Sequence, residues 1–194
     1  MAVIKYENFF EEDLYEEIFE YAKQIYNSEN QQLYTHRVWP EYIVKDSFPV
    51  LCHRYDKRED LLFKKMKEKI ESIPYCVEKN LELRNNVILF YYWTQFSYIP
   101  WHNDGASAIE AAFTCYLNRN WHKDFGGYYL YEHGDDDIRA ILPKRNMALL
   151  QNEFTSHSTS AVNYDGKVRY SIQAFLTYKG TQPIEAIVIP AKKD

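Results

Sequence analysis

From Glu11 to Tyr26 the apolar positions Leu14, Ile18, Tyr21, Ala22 and Ile25 recur at spacings of three and four, which predicts an amphipathic helix with one buried face. A second helix is predicted from about Lys57 to Ile73. Its apolar stripe is Leu62, Met66, Ile70 and Ile73, its N-cap is Asp56 with Glu59 three residues on, and Pro74 is its stop. After Leu81 the texture changes to short runs rich in Val, Ile, Phe and Tyr, broken by Gly, Asn, Asp and Pro, which is the pattern of strands and turns. Strands are predicted at Asn86–Thr94, Ala111–Leu117, Gly127–Glu132, Arg139–Leu142, Met147–Gln151, Arg169–Tyr178 and Ile184–Ile189, with His133-Gly134-Asp135-Asp136-Asp137 as a turn. Their regular spacing points to a mainly β fold with N-terminal helices, an antiparallel barrel or sandwich. Residues 1–194 read as a single domain, with helical support over 1–80 and the barrel over 81–194.

Alternation assigns the faces of the penultimate strand, because successive side chains point to opposite sides. Tyr170, Ile172, Ala174, Leu176 and Tyr178 form an apolar face fit to pack on the helices. Arg169, Ser171, Gln173, Phe175 and Thr177 form the other, and its polarity implies solvent or a functional cavity inside the barrel.

Composition removes several classes. With 194 residues and 46% hydrophobic content, the chain can bury a real core. A net charge of -5 and a pI near 5.7 give no footprint for nucleic acid. Cys52, Cys76 and Cys115 are odd in number and far apart, and they read as reduced, packed thiols. The start of the chain lacks a basic segment followed by an apolar run, and no apolar stretch is long enough to span a membrane. A soluble, cytoplasmic protein of undefined oligomeric state is expected.

The chemistry lies in an ordered set: His102-Asn103-Asp104, then His157, then Arg169-Tyr170-Ser171. Two imidazoles and one carboxylate are the ligands that hold iron(II) on one face and leave the other open. The chain contains three His-x-Asp triplets, the others being His122-Lys123-Asp124 and His133-Gly134-Asp135. The last lies in a turn, where such residues are usually solvated. Between Asp124 and His157 there are 32 residues, against 52 between Asp104 and His157, and the longer interval can cross a barrel and return a histidine to the same end. His102 and Asp104 are therefore favoured. Taken alone, His157 is more often a bland strand-end or core histidine than a ligand, and His36 and His53 lack neighbouring ligands. Arg169 beside Ser171 offers a guanidinium fork and a hydroxyl to a carboxylate, although a surface charge is the plainer reading of any single arginine.

The order His-x-Asp, His, Arg-x-Ser resembles the 2-oxoglutarate and iron(II)-dependent oxygenases, specifically their prolyl-4-hydroxylase-like branch. The opening Val3-Ile4-Lys5-Tyr6-Glu7-Asn8-Phe9-Phe10 before an acidic helix, and Tyr116-Leu117-Asn118 with Trp121 and Gly126-Gly127, are similar to that branch as well. The resemblance implies a double-stranded β-helix, also called a jelly-roll or cupin-like barrel, with helices packed on one sheet. It implies Fe(II) on His102, Asp104 and His157, and 2-oxoglutarate anchored by Arg169 with Ser171 and with Tyr92, ten residues before His102. It also implies O2 as oxidant, with ascorbate as an accessory reductant. Two departures stand out: the interval from His157 to Arg169 is long, and residues 94–101 lack the glycine that many relatives carry there.

The activity implied by the resemblance is that of a dioxygenase that forms succinate and carbon dioxide and hydroxylates an unactivated C–H bond. In halogenating relatives chloride replaces the carboxylate ligand, so Asp104 points to hydroxylation. The implied substrate is a prolyl residue of a peptide or protein, or alternatively a free amino acid or small metabolite. Tyr91, Tyr92, Trp93, Phe96, Tyr98 and Trp101 are candidates to wall the site, and His36, Arg37, Trp39 and Tyr42 to line its entrance, with core and surface-loop roles as the plainer readings. A cupin-like binder of a metal or small acid is the rival from another class. Zinc hydrolysis has no H-E-x-x-H signature here.

Overall fold

A computed structural model describes residues 3–28, 34–36 (backbone only), 50–104, 109–134, 136–152 and 154–181. The elements run β1 (Ile4–Tyr6), α1 (Glu12–Asn27), β2 (Tyr34–His36), β3 (Val50–Tyr55), α2 (Leu61–Glu71), α3 (Pro74–Glu78), β4 (Leu81–Leu83), β5 (Ile88–Trp93), β6 (Ile99–His102), β7 (Ala111–Tyr116), β8 (Tyr129–Glu132), β9 (Ile138–Ile141), β10 (Met147–Asn152), β11 (His157–Thr159) and β12 (Arg169–Tyr178).

The strands form two antiparallel sheets. One has eight strands in the order β1-β10-β7-β12-β5-β3-β2, with β4 also on β12, and the other has four in the order β6-β11-β8-β9. Strand parity divides the larger sheet into two faces. One face carries Ile88, Phe90, Phe113, Cys115, Ala148, Leu150, Ile172, Ala174 and Leu176, all buried in one cluster with Tyr15, Ile18, Ala22 and Ile25 of α1 and Leu62, Phe63, Met66 and Ile70 of α2. Tyr15 adds a hydrogen bond from its hydroxyl to the Leu117 carbonyl, 2.6 Å, that pins α1 to the end of β7. The other face looks into the barrel. This is the double-stranded β-helix that the strand pattern and the resemblance imply.

Both helices form on their predicted apolar stripes, with different ends. Asp60, not Asp56, caps α2 by accepting from the Leu62 amide at 2.9 Å. Residues 57–60 form a turn instead of a first helical turn, and Asp56 pairs with Arg54 at 3.0 Å. Pro74 follows the end of α2 and then opens α3 at its first position, where a missing N–H costs nothing. The N-terminal 80 residues are more than helical support, because β1, β2 and β3 all join the larger sheet. The predicted strand Ile184–Ile189 and the loop residues Arg37, Trp39 and Tyr42 lie outside the described residues, as does the His36 side chain. All three cysteines are free and buried, as expected. Among the described residues no helix is long and apolar enough to cross a membrane.

Candidate metal centre and anion pocket

Strand pairing brings the candidate ligands together. His157 opens β11 with His102 of β6 as its Cα partner on one side and Tyr131 of β8 on the other. Asp104 follows β6 by two residues. The ligand atoms of His102, Asp104 and His157 all lie within 4.8 Å of one another, and His102 Nε2 and His157 Nε2 each stand 3.6 Å from an Asp104 carboxylate oxygen. Metal–ligand bonds of about 2.1 Å at right angles put adjacent donors about 3 Å apart, so small side-chain movements suffice.

Both imidazoles are held in one tautomer. A carbonyl only accepts, so His102 Nδ1–H donates to the Pro100 carbonyl at 2.8 Å and His157 Nδ1–H to the Thr155 carbonyl at 2.9 Å. Each ring thereby turns an Nε2 lone pair toward Asp104, the outer-sphere arrangement that orients metal-binding histidines. Burial pushes both rings down to about pKa 4, His102 with a further push from His157, and raises the Asp104 carboxyl. The rings are neutral donors at physiological pH.

This burial makes a stability prediction. In the unfolded chain these histidines titrate near 6.5, so between that value and about 4 the unfolded state binds more protons than the folded one. Metal-free protein should lose stability as pH falls from about 6.5 toward 4. Asp104, whose carboxyl burial raises, works in the opposite direction, because its folded form holds a proton above the ordinary carboxylate range. Melting temperatures across the window check it, and a flat profile would contradict neutral buried rings.

The inner face of the larger sheet carries an unusual cation. Arg169 is 1% exposed at the start of β12, its Nε and Nη1 have no hydrogen-bond partner, and no carboxylate among the described residues pairs with it. Burial lowers its pKa accordingly. The guanidinium lies 4.6 Å from the Trp93 ring centroid and 4.8 Å from that of Tyr116. Asn118 fixes the chain around it, donating to the Val168 carbonyl and accepting from the Tyr170 amide, each at 2.7 Å. Ser171, 1% exposed on the same face, accepts from Trp93 Nε1 at 2.9 Å, which leaves its own hydroxyl hydrogen to donate. A buried guanidinium with two nitrogens lacking hydrogen-bond partners is costly, and an anion is the group that would offset that cost.

Gly127 makes room for Arg169. It has φ +67, and a Cβ there would come within 2.9 Å of Arg169 Cδ. Gly127→Ala should cost about 1–2 kcal/mol from the left-handed backbone and weaken anion binding as well. Gly166→Ala, at φ +72 with open space around it, should show the backbone cost alone. Thermal melts and binding titrations of the two variants separate the effects.

Tyr92 does not join the pocket. Its Cα partner is Tyr170, so it faces the helices, where it is fully buried and stacks on Tyr26 at 5.4 Å. The residues that take up the inner position are Tyr91 and Trp93 on either side of it, and Tyr116 on β7. The Tyr116 hydroxyl is buried beside Arg169, and burial raises it to about 12 against the opposing pull of the guanidinium. Tyr129, with an orphaned hydroxyl, stacks on the His157 ring at 5.5 Å. Of the other aromatic candidates, Phe96 and Trp101 are largely exposed. Phe96 adopts φ +65, the left-handed conformation that suits the glycine missing from this segment.

The competing triplets stay apart. His122 and Asp124 pair with each other at 3.2 Å on an exposed single turn of 3-10 helix. His133 borders the β8–β9 turn against Tyr131, and His53 lies beside Tyr21, Tyr55 and Phe90. A cavity of about 460 Å³ opens elsewhere on the inner face, lined by Cys52, Arg54, Leu89 and Phe175 with Arg84 and Asn85 at its edge. None of the triad lines it. It begins two strands away, since Gln151 touches Asp104 and pairs through Ala112 of β7 to Phe175 of β12, roughly 10 Å across the sheet.

The two stacked sheets, with a His-Asp-His cluster and the buried Arg169 guanidinium between them, define a double-stranded β-helix with a candidate iron centre. Residues 77–177, just over half of the chain, match the 2OG-Fe(II) oxygenase superfamily, and the chain belongs to that family. The fold is that of its prolyl-4-hydroxylase-like branch. It is similar to a Pseudomonas putida prolyl-4-hydroxylase, with TM-score 0.72 and 13% identity over 90% of this chain and 92% of that one. It is similar also to a Trichoplax adhaerens prolyl hydroxylase solved in complex with a hypoxia inducible factor oxygen degradation domain peptide fragment, at 0.71 and 14% over 90% and 83%. A viral collagen prolyl hydroxylase from Paramecium Bursaria Chlorella virus-1, solved as a 2OG complex, matches at 0.64 and 12% over 92% and 97%. No curated protein matches the sequence significantly.

Proposed function

We propose that the protein is a hydroxylase that couples oxidative decarboxylation of 2-oxoglutarate to insertion of one oxygen atom into an unactivated C–H bond of a prolyl residue in a peptide or protein. The observation that carries this reading is the buried Arg169 guanidinium, with two nitrogens that have no hydrogen-bond partner, on the inner face of one sheet, in a barrel whose other sheet carries two of the three residues of a metal-ligand cluster. His102, Asp104 and His157 would hold Fe(II), which supplies activation of O2 and of the keto acid when bound. Arg169 would take the distal carboxylate of 2-oxoglutarate in charge-assisted hydrogen bonds, with the Ser171 and Tyr116 hydroxyls as further donors. Tyr91, Trp93 and Tyr129 would keep water from the reacting face.

The peptide part of the reading rests on the family branch and is supported by the cavity two strands from the cluster, which Leu89 and Phe175 help to line. It is tested by incubating the protein with Fe(II), 2-oxoglutarate, ascorbate and O2 against a panel of proline-containing peptides, free amino acids and small metabolites. The expected result is a mass gain of one oxygen on a prolyl peptide, matched by succinate. Product formed only from free amino acids or metabolites would overturn the peptide assignment, and tight 2-oxoglutarate binding with no succinate would replace the enzyme by a binding protein.

A further inference from the structure

Each candidate ligand has an orienting partner. For His102 and His157 it is a main-chain carbonyl, and for Asp104 it is the side chain of Gln151, whose Nε2 donates to Asp104 Oδ2 at 3.0 Å. Gln151 is 5% exposed within the β10–β7 ladder, opposite Ala112, so the strand holds its backbone in place. By parity it shares the inner face with Met147 and Leu149, and it is the one polar side chain in that row.

Resting on the iron(II) reading above, we infer that Gln151 is a positioning residue for the metal centre: each Asp104 oxygen lies 3.6 Å from one ligand histidine, Oδ1 from His102 and Oδ2 from His157, and by occupying Oδ2 Gln151 would leave Oδ1 as the single liganding oxygen. A carboxylate free to rotate can close both oxygens onto one metal ion, which would occupy a position the reaction needs open. The amide has no proton to lose over the physiological range, so its hold is independent of pH. Gln151 Nε2 also lies 3.1 Å from both ring nitrogens of His157. The Nδ1 hydrogen is committed to Thr155, so this second contact faces the Nε2 lone pair, which a metal would claim, while the contact to Asp104 Oδ2 is compatible with metal binding.

The test is a Co(II) titration of metal-free protein followed by visible absorption, on wild type, Gln151→Met, Asp104→Gly and the double variant. Methionine keeps the volume and removes the donor. Gln151→Met should weaken Co(II) about 10- to 100-fold, the usual effect of losing an outer-shell partner, with little change in the melting temperature of metal-free protein. In the Asp104→Gly background the same substitution should have no further effect, because Gln151 acts through Asp104. Gln151→Met that binds Co(II) within twofold of wild type, or that weakens it equally with and without Asp104, overturns the inference. Wild type that binds neither Co(II) nor 2-oxoglutarate would instead overturn the iron(II) reading itself. Gln151→Leu, carried through the same titration, covers the case in which the methionine variant fails to fold.

Discussion

Asp104→Ala should abolish iron-dependent conversion of 2-oxoglutarate, and so should His102→Ala and His157→Ala, while His122→Ala should leave it intact. Loss of an outer-shell partner alone costs 10- to 100-fold in metal affinity or activity, so removal of a ligand should exceed ~100-fold. The contrast with His122 gives the experiment its force, because both triplets have the same His-x-Asp spacing. Only one is built into the sheet: His102 is the register partner of His157, whereas His122 and Asp124 sit in solvent and engage each other. Activity is read as succinate formed per Fe(II). A His122→Ala protein that is dead while His102→Ala turns over would reverse the assignment.

Arg169→Met should have two opposite effects. With its acid partner gone, 2-oxoglutarate affinity should fall by a factor equivalent to about 2–5 kcal/mol, the cost of truncating one side of a buried, hydrogen-bonded charge pair. The ligand-free protein should become more stable, because in that state the wild type carries a buried guanidinium with two unpartnered nitrogens and an apolar side chain of similar length removes the penalty. The two readouts, a binding titration and a melt without ligand, separate an anion anchor from an ordinary structural arginine. A structural arginine would give lower stability on substitution. Arg169→Met that melts lower than wild type and binds 2-oxoglutarate equally well would sink the account of the pocket.

The long strand and the ligand order are legible in the sequence because each is written in a local pattern. β12 alternates over ten residues, and its predicted faces are those observed: Ile172, Ala174 and Leu176 pack on the helices while Arg169 and Ser171 look inward. Tyr92 lies on the helix side of β5, which a ten-residue offset cannot reveal because it says nothing about which face a strand residue takes. Parity within β5 already separates it from Tyr91 and Trp93. The same rule, applied to β7 and β10, picks out Tyr116, beside Arg169, and Gln151, against His157, as polar groups on the inner face. Other elements have no local signature. β11 is only His157, Ser158 and Thr159, and β1 is three residues long; both are strands because β6, β8 and β10 supply their hydrogen bonds. The cap of α2 shows the same limit, since Asp56 and Asp60 both precede one apolar stripe and only the turn between them decides which accepts from the helix.

A single-turnover experiment bears most directly on the claim that this barrel is a 2-oxoglutarate-dependent iron oxygenase. Protein loaded with Fe(II) and 2-oxoglutarate without oxygen is mixed with O2, and succinate is quantified against iron, with His157→Ala as control. At least one equivalent of succinate per Fe(II) in the wild type, and none in the variant, is the expected result. Bound 2-oxoglutarate that stays unconverted in the presence of Fe(II) and O2 would contradict it.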